Sequence, residues 1–228
     1  MAKTILLNFL KGILAGLSIG LGGFLYILMT FALKGDVAEL GKILGSTLFA
    51  VGLFLVCTFK FSLYTGKIGA VYEGKQEVSY YISLPVMLIG NAIGAFGLGY
   101  LCYFIFKDTS MMDTVNAACS SRTALNSFND YLATIVKGML CGVCVYLAVK
   151  CFNLNRLKPL GIALLVFFVF LFVYCGFQHC IANMFYFGFG NHINGNMFIN
   201  LALVIVANSI GPIVGVGMSK LFEKKTKD

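Results

Sequence analysis

The chain has 228 residues, 59% of them hydrophobic and 11% charged, with a formal net charge of +8 and a mean hydropathy of +0.90. So little polar surface excludes an ordinary soluble domain and indicates an integral membrane protein. The positive charge does not indicate a nucleic-acid partner, because Lys and Arg are spread between apolar segments and the tail rather than clustered with stacking aromatics.

A membrane span takes roughly 20 mostly apolar residues. About six such segments follow one another, near 5–33, 43–63, 79–106, 131–152, 159–187 and 196–222. The opening MAKTILLNFLKGILAG has a basic start, a long apolar stretch and no convincing small-residue cleavage site, so it is expected to be the first span and not a signal peptide. The second segment is interrupted by TFKFSLYTGKIG (58–69), with Lys60, Thr65 and Gly66 at membrane depth; the fifth is interrupted by GFQHCIANMFYFGFG (176–190), with Gln178, His179 and Asn183. Glycines recur in the first, third and sixth segments, which suits close helix packing. His192 falls in the polar loop FGNHINGN and is expected to be solvated.

The eight cysteines lie mostly within spans, without the loop pairing of a disulfide framework or the spacing of a zinc site. They are expected to be small packing residues, and no metal or cofactor is expected. If six spans alternate, Lys3, Lys11, Lys67, Lys75, Arg156, Lys158, Lys220, Lys224, Lys225 and Lys227 share one side. The positive-inside rule makes that side cytoplasmic, so the expected placement is the cell membrane, multi-pass, with both termini inside.

Internal matches organise these segments. Lys11-Gly12-Ile13-Leu14-Ala15-Gly16 recurs from position 137 as Lys-Gly-Met-Leu-Cys-Gly, at an offset of 126, and Asn91-Ala92-Ile93-Gly94 recurs as Asn208-Ser209-Ile210-Gly211, at an offset of 117. The order and spacing suggest two homologous halves, about 1–115 and 125–228, in a single transmembrane domain over 1–228. Three spans per half is odd, so the second half enters from the opposite side and the repeat is inverted. The expected fold is therefore all-α, with six transmembrane helices in two inverted three-helix repeats. Irregular backbone at membrane depth is tolerated only where protein or a water-filled cavity satisfies it, so the broken second and fifth helices are expected to share a cavity.

With these residues in view, the sequence resembles the formate/nitrite transporter family. Leu63-Tyr64-Thr65-Gly66 is similar to the family's loop in the second span, Gly90-Asn91-Ala92-Ile93-Gly94-Ala95 to its third-span motif, and Gln178-His179-Cys180-Ile181-Ala182-Asn183-Met184-Phe185 to its fifth-span segment with the central histidine. The resemblance implies an aquaporin-like protomer, a homopentamer, and passage of small monovalent anions or their conjugate acids. By position it places Phe49, Leu53 and Phe172 in apolar rings that narrow the pore, Leu63 and Tyr64 on the gating loop, and Thr65 as the hydroxyl that reaches His179. Asn91 and Asn208, from the third- and sixth-span motifs, join the expected pore set with Asn183 and Lys60. Three positions depart from the family pattern: Gln178 replaces an acidic residue, Gly142 an asparagine, and Asn126 a vestibule lysine. Lys60 is the expected replacement for that lysine, with snorkelling to the interface as its alternative.

The chemistry expected of this set is passage of a weak acid. A bare carboxylate pays a large desolvation penalty at a dry constriction, and protonation removes most of it. Lysines would draw the anion into a vestibule, and a neutral His179 with Thr65 and Asn183 would supply polar contact between the apolar rings. The proton comes either from His179 or from vestibule water, and the sequence favours neither. Formate is the leading substrate, with nitrite or hydrosulfide also fitting. The alternatives are a proton-coupled transporter of a small monocarboxylate such as acetate or lactate, and a structural subunit that moves nothing. A haem subunit fits poorly, since the other histidine lies in a loop and no CxxCH occurs. No nucleophile–base pair, phosphate loop or metal cluster is legible, so the chain is not expected to be an enzyme.

Overall fold

The computed structural model describes residues 2–153 and 158–225, and among these it contains helices and no strand. In chain order the helices are α1 (Ala2–Ala32), α2 (Ala38–Thr58), α3 (Tyr64–Lys67), α4 (Ala70–Glu73), α5 (Val78–Phe106), α6 (Met111–Thr123), α7 (Phe128–Phe152), α8 (Lys158–Tyr174), α9 (Cys180–Phe189), α10 (Gly195–Ile210) and α11 (Pro212–Lys225). Among the described residues, five stretches are long and apolar enough to cross a membrane: Lys3–Ala32, Gly35–Thr58, Val78–Phe106, Phe128–Phe152 and Gly195–Lys220. The fifth span is made of two shorter apolar helices, α8 and α9, in keeping with its expected interruption. Arg156 and Lys227 lie outside the described residues.

The second span also departs from its expected limits: the helix runs 38–58, and 59–63 is a non-helical return. Helix α6 was not expected at all. Its sequence, MMDTVNAACSSRT, is too short and too polar to read as a span.

Helix α1 packs between α2 and α5, and α7 between α8 and α10. Glycine makes both pairings close. A Cβ on Gly94 would overlap the Ile13 carbonyl, and one on Gly211 would overlap the Met139 carbonyl, so the backbones of α1 with α5, and of α7 with α10, touch directly. These contacts correspond under the inverted repeat: residues 13 and 94 in the first half stand where 139 and 211 stand in the second.

The two breaks are built by the same devices. Helix α2 ends with the Phe61 N–H donating to the Val56 carbonyl and the Lys60 N–H to the Cys57 carbonyl; α8 ends with Phe177 donating to Phe172 and Gly176 to Val173. This is the Schellman pattern, in which the residue after the cap adopts the left-handed conformation. Gly176 does so at φ 68° and Lys60 at φ 53°. Lys60 is thus the turn residue that ends α2, and it is exposed at the chain reversal.

Beyond each turn the chain returns to mid-bundle and meets an asparagine. The Asn91 amide donates to the Gly12 and Ser62 carbonyls at 2.8 and 2.9 Å, and its oxygen accepts from the Tyr64 N–H at 2.8 Å. The Asn208 amide donates to the Gly138 and Gln178 carbonyls, both at 2.8 Å, and its oxygen accepts from the Cys180 N–H at 2.9 Å. Each carboxamide replaces the helical partners that the break removes, where no bilayer water can do so. Both side chains are fully buried and their donors are used up by backbone. Asn91 and Asn208, expected in the pore set, use these groups to clamp the backbone of the breaks and are not among the lining residues of the two cavities described below.

Candidate functional site

The clamps aim the starts of two short helices at each other. Leu63 stands just before α3 and His179 just before α9, both extended. Thr65, on the first turn of α3, meets His179 across mid-bundle, with Oγ1 2.8 Å from Nε2. Both residues are buried, 1% and 3% exposed.

A second bond fixes the imidazole. His179 Nδ1 accepts from the Ala182 N–H at 3.3 Å, capping α9, so Nδ1 carries no proton and the neutral ring bears its proton on Nε2. That N–H donates to Thr65, which leaves the threonine hydroxyl hydrogen free to donate onward. Protonating His179 would remove the cap of its own helix.

Apolar groups close around this pair. Phe172 lies against the imidazole with ring centroids 6.0 Å apart and planes 26° apart, and Phe49 meets Phe172 edge-on at 5.7 Å. Phe49, Leu53, Leu63 and Phe172 are all buried. Tyr64 turns away to α10, where its hydroxyl lies 2.8 Å from Ser209 Oγ.

A cavity of about 390 Å³ reaches His179 from the face that carries α6, and Phe49, Phe172, Asn183, Tyr186, Arg122 and Lys137 are among its lining residues. A cavity of about 210 Å³ lies on the opposite, N-terminal face, lined by Lys60, Leu63, Lys67, Val149 and Asn153 among others. Lys60 therefore does not share a cavity with His179. Lys137 and Arg122 do, and Arg122, which is hydrogen-bonded to Asn183 in the polar site, is the one sequence reading missed.

Arg122 is held on three sides. Its Nε donates to Asn183 Oδ1 at 2.9 Å, its Nη1 donates to the Ala118 carbonyl at 2.6 Å, and its Cζ stands 4.3 Å from the centre of the Tyr186 ring. Asn183 in turn donates to Gln178 Oε1 and Asn200 Oδ1, while Asn200 donates to Gln178 Oε1 and the Arg122 carbonyl. The network is carboxamide throughout, and Arg122 makes no ion pair among the described residues. No carboxylate joins this network among the described residues, since Gln178, Asn183 and Asn200 are neutral amides.

Two further expectations change. Asn126 is exposed and its N–H serves the Asp130 carboxylate in the cap of α7, so it supplies nothing to the cavity. His192 is half-buried rather than solvated: Nε2 lies 3.2 Å from Thr123 Oγ1 and 2.9 Å from Asn194 Nδ2, and the ring stacks on Phe187. Among the described residues no group of His, Cys, Asp and Glu is arranged to hold a metal.

Paired half-helices meeting at a buried polar site between two cavities define a multi-pass membrane protein of inverted-repeat transporter architecture. The chain matches the formate/nitrite transporter description over residues 1–222, and it belongs to that family; the family consists of transporters and not enzymes. It is 24% identical to formate channel FocA of Haemophilus influenzae over 80% of its own length and 66% of that protein, and 24% identical to formate channel FocB of Escherichia coli over 78% and 64%. It thus spans just under two thirds of those two relatives. An uncharacterized transporter, YrhG of Bacillus subtilis, is 28% identical over 95% of this chain and 85% of its own. Among solved structures, a pentameric formate channel with formate bound superposes with a TM-score of 0.76 at 22% identity, covering 98% of this chain and 97% of that one. An ion channel of the same family gives 0.78 at 20% identity, covering 97% and 92%. These likenesses establish the fold.

Proposed function

We propose that this protein is a channel passing small monovalent anions, or their conjugate weak acids, across the cell membrane, with formate foremost and nitrite or hydrosulfide as further candidates. The observation that carries the reading is the Thr65–His179 pair, buried where the two breaks meet, with Phe172 against the imidazole and Phe49 against Phe172. A purely structural histidine has no need of a cavity leading to it or of a cation beside that cavity. Both are found. The formate-channel relatives and the pentameric structural neighbour support the substrate class and a homopentamer in the bilayer.

The cavity that holds Arg122 and Lys137 draws the anion in. An anion entering the apolar passage beyond it loses hydration at a cost of several kcal/mol, and taking up a proton avoids most of that cost. The neutral acid then passes the Phe49–Phe172 edge. At the midplane the free Thr65 hydroxyl hydrogen meets its oxygen, while His179 keeps its Nε2 proton on Thr65 and its Nδ1 on the α9 cap. The proton comes from water in the cavity, because His179 cannot exchange one without uncapping α9. On the N-terminal face, Lys60 and Lys67 receive the anion as it ionises again.

That face is cytoplasmic in this reading, since Lys3, Lys11, Lys60, Lys67, Lys75, Lys158 and Lys220 gather on it. The chain forms one channel domain with halves of about 1–115 and 125–228. Proteoliposome uptake of labelled formate between pH 5 and 8 tests the proposal. Uptake is expected to rise several-fold toward pH 5, and its absence for formate, nitrite and hydrosulfide alike would overturn the reading.

A further inference from the structure

We infer that Arg122 makes the α6 cavity a selective binding site for planar anions with two oxygens, of the carboxylate and nitrite kind, over anions that bind through one atom, such as hydrosulfide. This rests on the channel reading above and narrows its substrate class.

The guanidinium has five N–H donors in a rigid plane. Nε is used by Asn183 and one Nη1 hydrogen by the Ala118 carbonyl. The remaining Nη1 hydrogen and both on Nη2 have no partner among the described residues. Each terminal nitrogen thus keeps at least one hydrogen to offer, and Arg122 lines a cavity of about 390 Å³. N–H groups on two nitrogens of one rigid plane match two oxygens held in a plane, whereas a single-atom anion takes a weaker forked contact.

The plane is fixed before any anion arrives. Tyr186, itself buried, holds one face of the guanidinium at 4.3 Å, and Asn183 holds Nε. Asn183 is held in turn by Gln178 and Asn200. A ligand there pays little to order the side chain, so the fork's geometry shows in the affinity. No carboxylate competes for the charge among the described residues, since Gln178 and Asn200 accept and donate as neutral amides. A lysine at this position would give the charge without the plane.

The test uses the full chain in proteoliposomes at pH 8, with formate, nitrite and hydrosulfide uptake compared in wild type, Arg122→Lys and Arg122→Gln. Wild type is expected to favour formate and nitrite over hydrosulfide. Arg122→Lys is expected to lower the formate-to-hydrosulfide ratio at least tenfold while hydrosulfide uptake stays within about threefold; Arg122→Gln lowers all three. A ratio unchanged in Arg122→Lys, with formate uptake intact, would mean that charge alone matters and would overturn the inference. Should Arg122→Lys fail to fold, competition in wild type decides: nitrite is expected to inhibit formate uptake at concentrations at least tenfold below hydrosulfide, and equal potency overturns it. Absence of all uptake in wild type would instead remove the channel reading itself.

Discussion

The two breaks share a skeleton and differ in chemistry. Each ends a long helix in a left-handed turn, at Lys60 or Gly176, and each is clamped by an asparagine, Asn91 or Asn208, that binds two carbonyls and one N–H. The residue that caps the short helix, however, is Leu63 at one and His179 at the other. Four residues further, first-half Lys67 lines the N-terminal cavity, while Asn183 of the second half ties the network to Arg122. The repeat therefore supplies the backbone geometry twice, and the polar chemistry is added to one copy. Stability should follow the shared devices and transport the unshared ones.

The largest expected effect is on the clamps. Asn208→Leu leaves two buried carbonyls and one N–H without partners, each costing about 1–3 kcal/mol, and Asn91→Leu does the same in the first half. Either change is expected to abolish recovery of folded protein or to lower its melting temperature by more than 10 °C. Equal losses would support the symmetric skeleton. A loss at only one asparagine would break it.

The turn residues give a smaller and oppositely signed pair. Gly176→Ala forces a side chain into the left-handed region and is expected to cost about 1 kcal/mol, whereas Lys60→Gly relieves that strain and is expected to gain up to about 1 kcal/mol. Chemical denaturation in detergent measures both. Lys60→Gly also asks whether the exposed ammonium is needed for uptake, independently of the turn.

The smallest effect lies outside the spans, at Glu73 on α4. Burial alone would raise its pKa, but hydrogen bonds from Tyr146 and Lys150 and the nearby Lys150 and Lys220 charges hold it below the usual carboxylate range. A lowered folded pKa contributes stability above the unfolded value and loses it as pH falls through the folded one. The carboxylate is over a third exposed, so Glu73→Gln is expected to cost under about 1 kcal/mol at pH 7. The cost should vanish on acidification, and a difference that grows toward low pH would contradict the assignment.

Spans, inversion and break positions were legible because they are local: apolar run length, the KGxLxG and NxIG matches, and polar residues at membrane depth. The clamps were not legible, because Asn91 binds a carbonyl 79 residues away and Asn208 one 70 away. An asparagine beside Ile-Gly reads equally well as pore lining. The position of Lys60 was hard to read for a different reason: the left-handed turn is normally glycine, as at Gly176, and a lysine there looks like a buried charge. Arg122 went unread because α6 is polar and short. Its one sequence signal was an arginine between the third and fourth spans, close to Asn126, where the family resemblance implies a lysine.

The central claim is that permeation runs through the unshared polar pair. The direct measurement is formate uptake at pH 5.5 by reconstituted His179→Ala and Thr65→Val, each first shown to keep wild-type assembly by size-exclusion chromatography, with Thr65→Ser as the conservative control. Uptake at least tenfold below wild type in the first two variants, with Thr65→Ser within about threefold, is the expected result. Wild-type uptake in both folded variants would contradict the claim and leave Thr65 and His179 as a structural tie between two broken helices.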